Sequence, residues 1–412
     1  MGGADGRGAL RAQSVMSASA APVRSLYVHA PFCARRCPYC DFAVQVRRTG
    51  DADAWTAALA GELRAVEEEG RFALAPALDS VFVGGGTPSL LGPGAMAGLA
   101  SVVGAERLLG PGLEWTAEAN PESFTPDVAA GWRAAGVNRV SLGVQSFSEP
   151  ALAWMGRLHG PDGARLAVAT ARAVGLGELS LDLIFALPDE VERSWAGDLD
   201  AVLALAPPHV SLYGLTVETG TPLARSVAEG RVHTAGEERY REEYLYAAER
   251  LTTAGYLHYE VSNFALPGHD SRHNRVYWEG GAYLGLGNGA HSFAEPLRRW
   301  NVRDWDDYAR AAVAGRLAVA DEEVVSGPSR RLERVWLGLR TDRGVPASEL
   351  TPAAALLAAR WRAEGLAWPS PGAAVPLCLT PTGWLLLDRL AVELDAVLEP
   401  LEPLEPLEPG RR

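Results

Sequence analysis

Short apolar runs alternate with amphipathic stretches from residue 25 to about residue 254, and this alternation constrains the fold more than any other feature. The runs 26–30, 78–83, 113–119, 139–145, 179–187 and 209–215 are rich in Val and Leu. Most of them stop at Pro, Gly or Asn, as strands do. Between them, 52–69, 125–135, 163–174, 194–205 and 237–254 space their apolar residues at the period of a helix. Trp55, Leu59, Leu63 and Val66 mark the inner face of the first. Strands joined by such crossovers run parallel. Six βα units predict an α/β fold, an open, partial (β/α)6 barrel of TIM type over 25–260. Barrels of this kind build their sites at the C-terminal ends of the strands.

The polar features of the chain fall at those ends. Behind the first strand come Cys33, Cys37 and Cys40, spaced Cys-x3-Cys-x2-Cys. Three thiolates this close converge on one metal centre. A four-iron cluster held by three cysteines keeps its fourth iron open to an outside ligand, whereas electron carriers close all four corners. Structural zinc, completed by His29, Asp41 or a distant residue, is the competing reading. Zinc knuckles usually pair two Cys-x2-Cys units, and the only other cysteine is Cys378. After the second strand, 84–87 reads Gly-Gly-Gly-Thr, where a missing Cβ lets backbone and ligand approach closely. Alone it is equally a tight βα turn. Glu118, Gln145 and Asp182 end later strands, with Arg157 nearby. A carboxylate there can accept from ribose hydroxyls or an ammonium, and Arg157 can pair with a carboxylate. Singly each reads as an ordinary surface ion pair; as strand ends they face one another.

The 412 residues suffice for two or three domains, and 48% hydrophobic with 22% charged residues is ordinary for a globular chain. With 51 acids against 38 bases the net charge is −13, which argues against a nucleic-acid partner. Four cysteines, three of them clustered, fit a reducing compartment, so a cytoplasmic location is expected. No run of about 18 apolar residues occurs, leaving at most peripheral membrane contact. Residues 1–24, rich in Gly, Ala and Ser, read as a disordered leader. The Leu-Glu-Pro repeat that ends the chain (399–412) reads as an extended tail, because proline forbids helix and sheet.

The cysteine spacing, with Tyr39 just before the last thiol, resembles the signature of radical S-adenosylmethionine (SAM) enzymes. Tyr-Val-His-Ala-Pro-Phe-Cys, Gly-Gly-Gly-Thr-Pro-Ser, Glu-Ala-Asn-Pro-Glu, Gly-Val-Gln-Ser, Asp-Leu-Ile-Phe-Ala-Leu-Pro and Tyr-Glu-Val-Ser-Asn-Phe-Ala look like the oxygen-independent coproporphyrinogen oxidases and their relatives. The match runs from about residue 25 to 300 and more weakly to about 398. It implies a [4Fe-4S] cluster on Cys33, Cys37 and Cys40 whose open iron chelates SAM. It also implies SAM contacts from Tyr27, Tyr39, Gly85, Gly86, Thr87, Glu118, Gln145, Arg157 and Asp182. The oxidases, which decarboxylate propionates of coproporphyrinogen III, carry a further cysteine two positions past the third ligand. This chain has Cys40-Asp41-Phe42 there, and its low-complexity leader does not resemble their longer N-terminal segment. It resembles instead the radical SAM heme chaperones, which implies heme, an apo-hemoprotein recipient and an electron donor as partners.

His273-Asn-Arg-Val-Tyr-Trp278 matches the HNxxYW pattern associated with heme in that branch, within a segment (261–300) expected to flank the barrel mouth. Imidazole is a natural axial ligand of heme iron, and Tyr277 and Trp278 can pack on the macrocycle. The alternative is that His273 and Asn274 cap a loop while the aromatics fill the core. His291, in the glycine turn 285–292, is a second, less favoured ligand. Residues 301–398 read as helices (304–314, 329–340, 352–364) with a two-stranded wing that carries Cys378. This resembles a winged-helix domain, and the acidic balance points to a packing or partner role rather than DNA.

Overall fold

The computed structural model describes residues 22–398 except 326, 371 and 373; most of the expected leader and the whole of the expected tail lie outside the described residues. Six parallel strands carry the fold: β1 (Ser25–Ala30), β2 (Ser80–Gly85), β3 (Glu114–Ala119), β4 (Arg139–Gln145), β5 (Glu178–Phe185) and β6 (His209–Gly214). Each pairs in parallel with the next. Three short strands extend the sheet: β7 (Leu257–Glu260), β8 (Asn263–Ala265) and β9 (Leu284–Leu286). The order is β9-β1-β2-β3-β4-β5-β6-β8-β7, an open run with two ends, so the barrel is partial as the alternation predicts. Its β9 is a further parallel strand, paired to β1, too short and glycine-bound for sequence periodicity to mark.

The crossover helices include α1 (Ala52–Glu69), α2 (Ala95–Val103), α3 (Pro126–Ala135), α4 (Pro161–Ala173), α5 (Trp195–Leu205) and α6 (Glu237–Thr253). Local chemistry sets their ends. For α1, the Asp51 carboxylate accepts from Ala54 N, and Gly70 closes the helix at φ 76°. The predicted face of α1 is buried, and Trp55 Nε1 donates to His29 O at 2.9 Å, tying helix to strand. The inside of the barrel is polar. Glu118 lies level with Ser141, and Asp182 with Ser211, by strand register.

Beyond the barrel come α7 (Arg272–Trp278), an antiparallel sheet of β10 (His291–Ala294), β11 (Leu297–Asn301) and β12 (Val319–Val324), and α8 (Trp305–Val313). Then α9 (Gly327–Leu339), α10 (Pro352–Ala363) and α11 (Leu387–Asp395) enclose a second core around Leu339, Trp361, Leu377 and Leu390. The expected two-stranded wing is reduced to single bridges, Val345 to Leu377 and Ala367 to Leu379. Pro369 and Pro376 remove the ladder donors a wing would need. Cys378 is half-buried between those bridges, its thiol donating to Asp342 O. Two residues of the expected leader are part of the fold: Val23 is buried and bridged to Leu74, and Arg24 pairs with Asp79.

Candidate functional site

The C-terminal ends of β1 to β6 open into a cavity of about 410 Å3. Cys33, Cys37 and Cys40 form one side of it, all free and half-buried. The loop that carries them is pinned at its base, where Phe32 and Cys33 pair with Gln45 and Val46. Thr87 Oγ1 donates to Cys33 Sγ at 3.4 Å, and Arg157 Nη1 to Cys37 Sγ at 3.8 Å. Donors aimed at sulfur suit thiolate ligands. Without a cation, burial pushes the Cys33 thiol up to about 11 and raises Cys40 as well. A coordinated metal deprotonates such thiols outright. Among the described residues no third Cys, His, Asp or Glu side chain closes with two others on a common point, as a bare-ion site needs. The three thiols on one loop are a donor set that a cluster bringing its own iron framework can use.

Opposite the thiols stand Glu118 and Asp182, both half-buried on the cavity wall inside the barrel. Burial, reinforced by Asp182, raises Glu118 to about 8. Burial also raises Asp182, opposed by the hydroxyls of Ser211, Ser141 and Ser180. Two half-buried acceptors near the same mouth form a pocket for a cation. Arg157 supplies the contrary charge. Its Nη2 donates to Gly143 O at 2.7 Å and to Asn120 Oδ1, while its Nε is buried without a partner. Gln145, also on the wall, has φ 66°, a conformation that costs a non-glycine residue about 1–3 kcal/mol and persists where its surroundings impose it.

The amides of the glycine run are engaged within the fold. Gly85 N donates to Glu118 Oε2 at 3.0 Å, Gly86 N to Ala30 O at 2.7 Å and Thr87 N to Phe32 O at 2.8 Å. Those amides are spent on the fold. A Cβ at Gly85 (φ 102°) would lie 2.3 Å from the His29 ring, and one at Gly84 2.9 Å from the Glu118 carboxyl. The run therefore lets His29 and Glu118 pack beside the backbone, and a ligand ammonium would look to carbonyl oxygens instead.

Of the residues named from the sequence, Tyr39, Gly85, Gly86, Thr87, Glu118, Gln145, Arg157 and Asp182 line this one cavity with the cysteines. Tyr27 is not on its wall: its hydroxyl meets His29 Nδ1 at 3.1 Å and its ring stacks on Phe82. Asn120 and Tyr213, also on the wall, went unread. Asn120 belongs to the Glu-Ala-Asn-Pro-Glu motif, and its place right after a strand end is the signal for it.

The 273–278 segment lies at the other end of the barrel, not beside the mouth. Glu114, the first residue of β3, accepts from the amides of Arg272 and His273 at 3.1 and 3.0 Å. Ser80, the first residue of β2, meets His273 Nδ1 at 2.8 Å, and Tyr277 Oη meets Nε2 at 2.8 Å. His273 is fully buried, stacked on Phe82, with both ring nitrogens engaged. It plugs the barrel floor and offers no free nitrogen to an iron. The cause is topological: β8 runs antiparallel to β6, ending with Ala265 opposite His209, and so returns the chain to the floor before α7 starts. Asn274 is half-buried in the first turn of α7, its amide capped by Ser271 Oγ at 3.3 Å. Tyr277 and Trp278 face a second cavity, of about 580 Å3, between α7, the β10–β12 sheet and α9.

Comparison with known proteins agrees with this architecture. Residues 27–202 match the radical SAM superfamily. Over 344 residues the chain is 39% identical to heme chaperone HemW of Mycobacterium tuberculosis, a span of 83% of this chain and 87% of that protein. The chain belongs to the HemW family. Escherichia coli heme chaperone HemW is 39% identical over 272 residues, 66% of this chain and 70% of that one. The crystal structure of E. coli coproporphyrinogen III oxidase, HemN, a radical SAM enzyme, superposes with a TM-score of 0.73 at 22% identity. It covers 92% of this HemW-family chain and 91% of its own, which is a likeness of fold. Family membership implies an iron-sulfur cluster and SAM, which the donor set of the mouth can accommodate.

Proposed function

We propose that this protein is a heme chaperone that holds a [4Fe-4S] cluster on Cys33, Cys37 and Cys40, binds SAM beside it, and passes heme to apo-hemoproteins. The single observation that supports the mouth assignment is the convergence of three thiols, two half-buried carboxyls and one half-buried arginine on one cavity at the barrel mouth. Heme enters the reading through the HemW relatives. When bound, the cluster and SAM would supply one-electron chemistry at the mouth. The chain's own residues have plainer tasks there. Arg157 orients a ligand carboxylate with its unpartnered Nε edge, Glu118 and Asp182 receive cationic and hydroxyl groups, and the barrel wall keeps water out. An electron donor and a recipient protein complete the partners, and free thiols suit a reducing, cytoplasmic setting.

Anaerobic reconstitution tests the reading. The expected result is about four irons per chain, a spectrum that SAM perturbs, and loss of the cluster in any single Cys→Ser variant. Tight stoichiometric zinc in place of iron would overturn it. Incubation with coproporphyrinogen III and a reductant should give no protoporphyrinogen above background, since the oxidase-type Cys-x-Cys is absent at Cys40-Asp41-Phe42. Product formation would make the protein an oxidase.

A further inference from the structure

The second cavity holds an imidazole that the fold leaves free. His291 opens β10, is exposed, and stacks on Trp300 with ring centroids 5.6 Å apart and planes 22° from parallel. Among the described residues neither ring nitrogen of His291 has a hydrogen-bond partner. His29, His209 and His273 each have both nitrogens engaged. Partial enclosure by the cavity, with Arg298 and Arg303 nearby and Glu323 opposing, holds His291 below its ordinary value, so the ring is neutral near pH 7.

The surroundings suit a large apolar ring with acidic edges. At about 580 Å3 the cavity falls in the range of ligand sites, roughly 300–1,000 Å3. Tyr277, Tyr283, Phe293 and Trp300 supply aromatic wall. Three guanidinium groups stand around it. Arg298 pairs with Glu323 at 2.9 Å and with Glu333, Arg330 pairs with Glu295, and Arg334 pairs with Glu349 at 2.8 Å. Two donors on its walls are buried without partners, Trp278 Nε1 and Arg330 Nη1, and such orphans call for an acceptor.

We propose that heme is carried in this cavity with His291 as an iron ligand, its carboxylates taken by the arginines, and that Tyr277 and Trp278 serve as wall. This rests on the heme-chaperone reading and places its cargo. It gives the 273–278 motif a role that needs no iron bond: His273 anchors α7 in the barrel floor through Ser80 and Phe82 and holds the Tyr277 hydroxyl, and α7 presents two aromatic residues to the cavity. The arginines exchange a glutamate for a carboxylate rather than gaining a first partner. The net gain per contact is therefore modest, as suits a protein that must give its ligand up.

Hemin titration of the full chain, read by the Soret band, and titration with iron-free protoporphyrin IX, read by fluorescence, test the site together. His291→Ala should shift the Soret band and weaken hemin by at least the roughly tenfold that losing a ligand's outer-shell partner costs other metal sites. It should leave iron-free porphyrin affinity near wild type, because only the iron bond is lost. Arg330→Ala should weaken both. Both side chains lie at the surface or half-buried, and unchanged cluster content and melting temperature report that each variant is folded. Wild-type hemin affinity and spectrum in His291→Ala would overturn this site and leave the chaperone reading standing. No hemin uptake by the wild-type chain would overturn both.

Discussion

Glu118 sets the charge balance of the mouth. It is half-buried, accepts from Gly85 N at 3.0 Å, and is raised to about 8 by burial and then by Asp182. A carboxyl raised this far is mostly protonated at pH 7 in the ligand-free protein. A cationic ligand such as SAM favours the ionised form, so binding releases a proton below about pH 8. Affinity for SAM should therefore rise with pH up to about 8 and then level off. Glu118→Gln should flatten that dependence and weaken binding at pH 8.5 by about tenfold, as loss of a charge-assisted hydrogen bond does. Calorimetry of the reconstituted protein in buffers of different ionisation enthalpy measures it; equal proton release in the variant would assign the titration to another group. At this scale much was legible. Cys33, Glu118 and Gln145 sit where a strand pattern stops, and barrel geometry brings strand ends together, whereas Asp182 lies within β5 and reaches the cavity from inside the barrel. Asn120 and Tyr213 were not legible, because their place on the wall depends on which way a side chain leaves the backbone. His273 was misplaced because its partners, Ser80 and Glu114, lie nearly 200 and 160 positions away in sequence.

Among the elements, α1 does more than cover the sheet. Its Glu62 is fully buried and accepts from Gly287 N at 2.8 Å, from Tyr308 Oη at 2.5 Å and from Asn301 Nδ2. One carboxylate thus joins α1 to the turn after β9, to α8 and to β11, and so fixes the strand that leads into His291. Glu62→Ala would orphan two buried donors, Gly287 N and Tyr308 Oη, at about 1–3 kcal/mol each, while Asn301 Nδ2 keeps Gly287 O, and a loss of about 2 kcal/mol or more of unfolding free energy is expected. Urea unfolding of the cluster-free chain measures it, with Glu62→Gln, which keeps one acceptor, falling between. A change in Glu62→Ala within about 0.5 kcal/mol, the scatter of neutral surface changes, would deny the carboxylate this role. Sequence periodicity located α1 at its observed bounds, 52–69, because a long helix with a one-sided apolar stripe has a strong signal. It missed the β10–β12 sheet for the converse reason. Val319–Val324 reads Val-Ala-Asp-Glu-Glu-Val, an exposed edge strand whose stabilisation comes from pairing with β11 and not from a buried face.

Across the whole molecule, two cavities share one barrel. The thiol-lined cavity opens at the C-terminal ends of the strands, and the arginine-rimmed one lies outside the barrel, where Tyr277 and Trp278 emerge from the α7 floor helix. A line of ring contacts runs between them: His29 to Tyr27, Tyr27 to Phe82, Phe82 to His273, His273 to Tyr277, and Tyr277 to Tyr283. Contact alone does not couple two sites; coupling needs an element with two arrangements that both ligands bias. The rings from Tyr27 to His273 are packed in a barrel whose floor is held by Glu114 and Ser80, and changes at separated sites with no shared partner add. The two sites should therefore load independently. A Cys33→Ser/Cys37→Ser/Cys40→Ser variant, devoid of cluster, is expected to take up hemin with wild-type affinity and Soret position. Conversely, His291→Ala should reconstitute to about four irons and keep its response to SAM. Iron content, hemin titration and the SAM difference spectrum on the same three proteins decide the matter. If hemin uptake vanished with the thiols, the heme would belong to the mouth, and the arginine-rimmed cavity would lose its cargo.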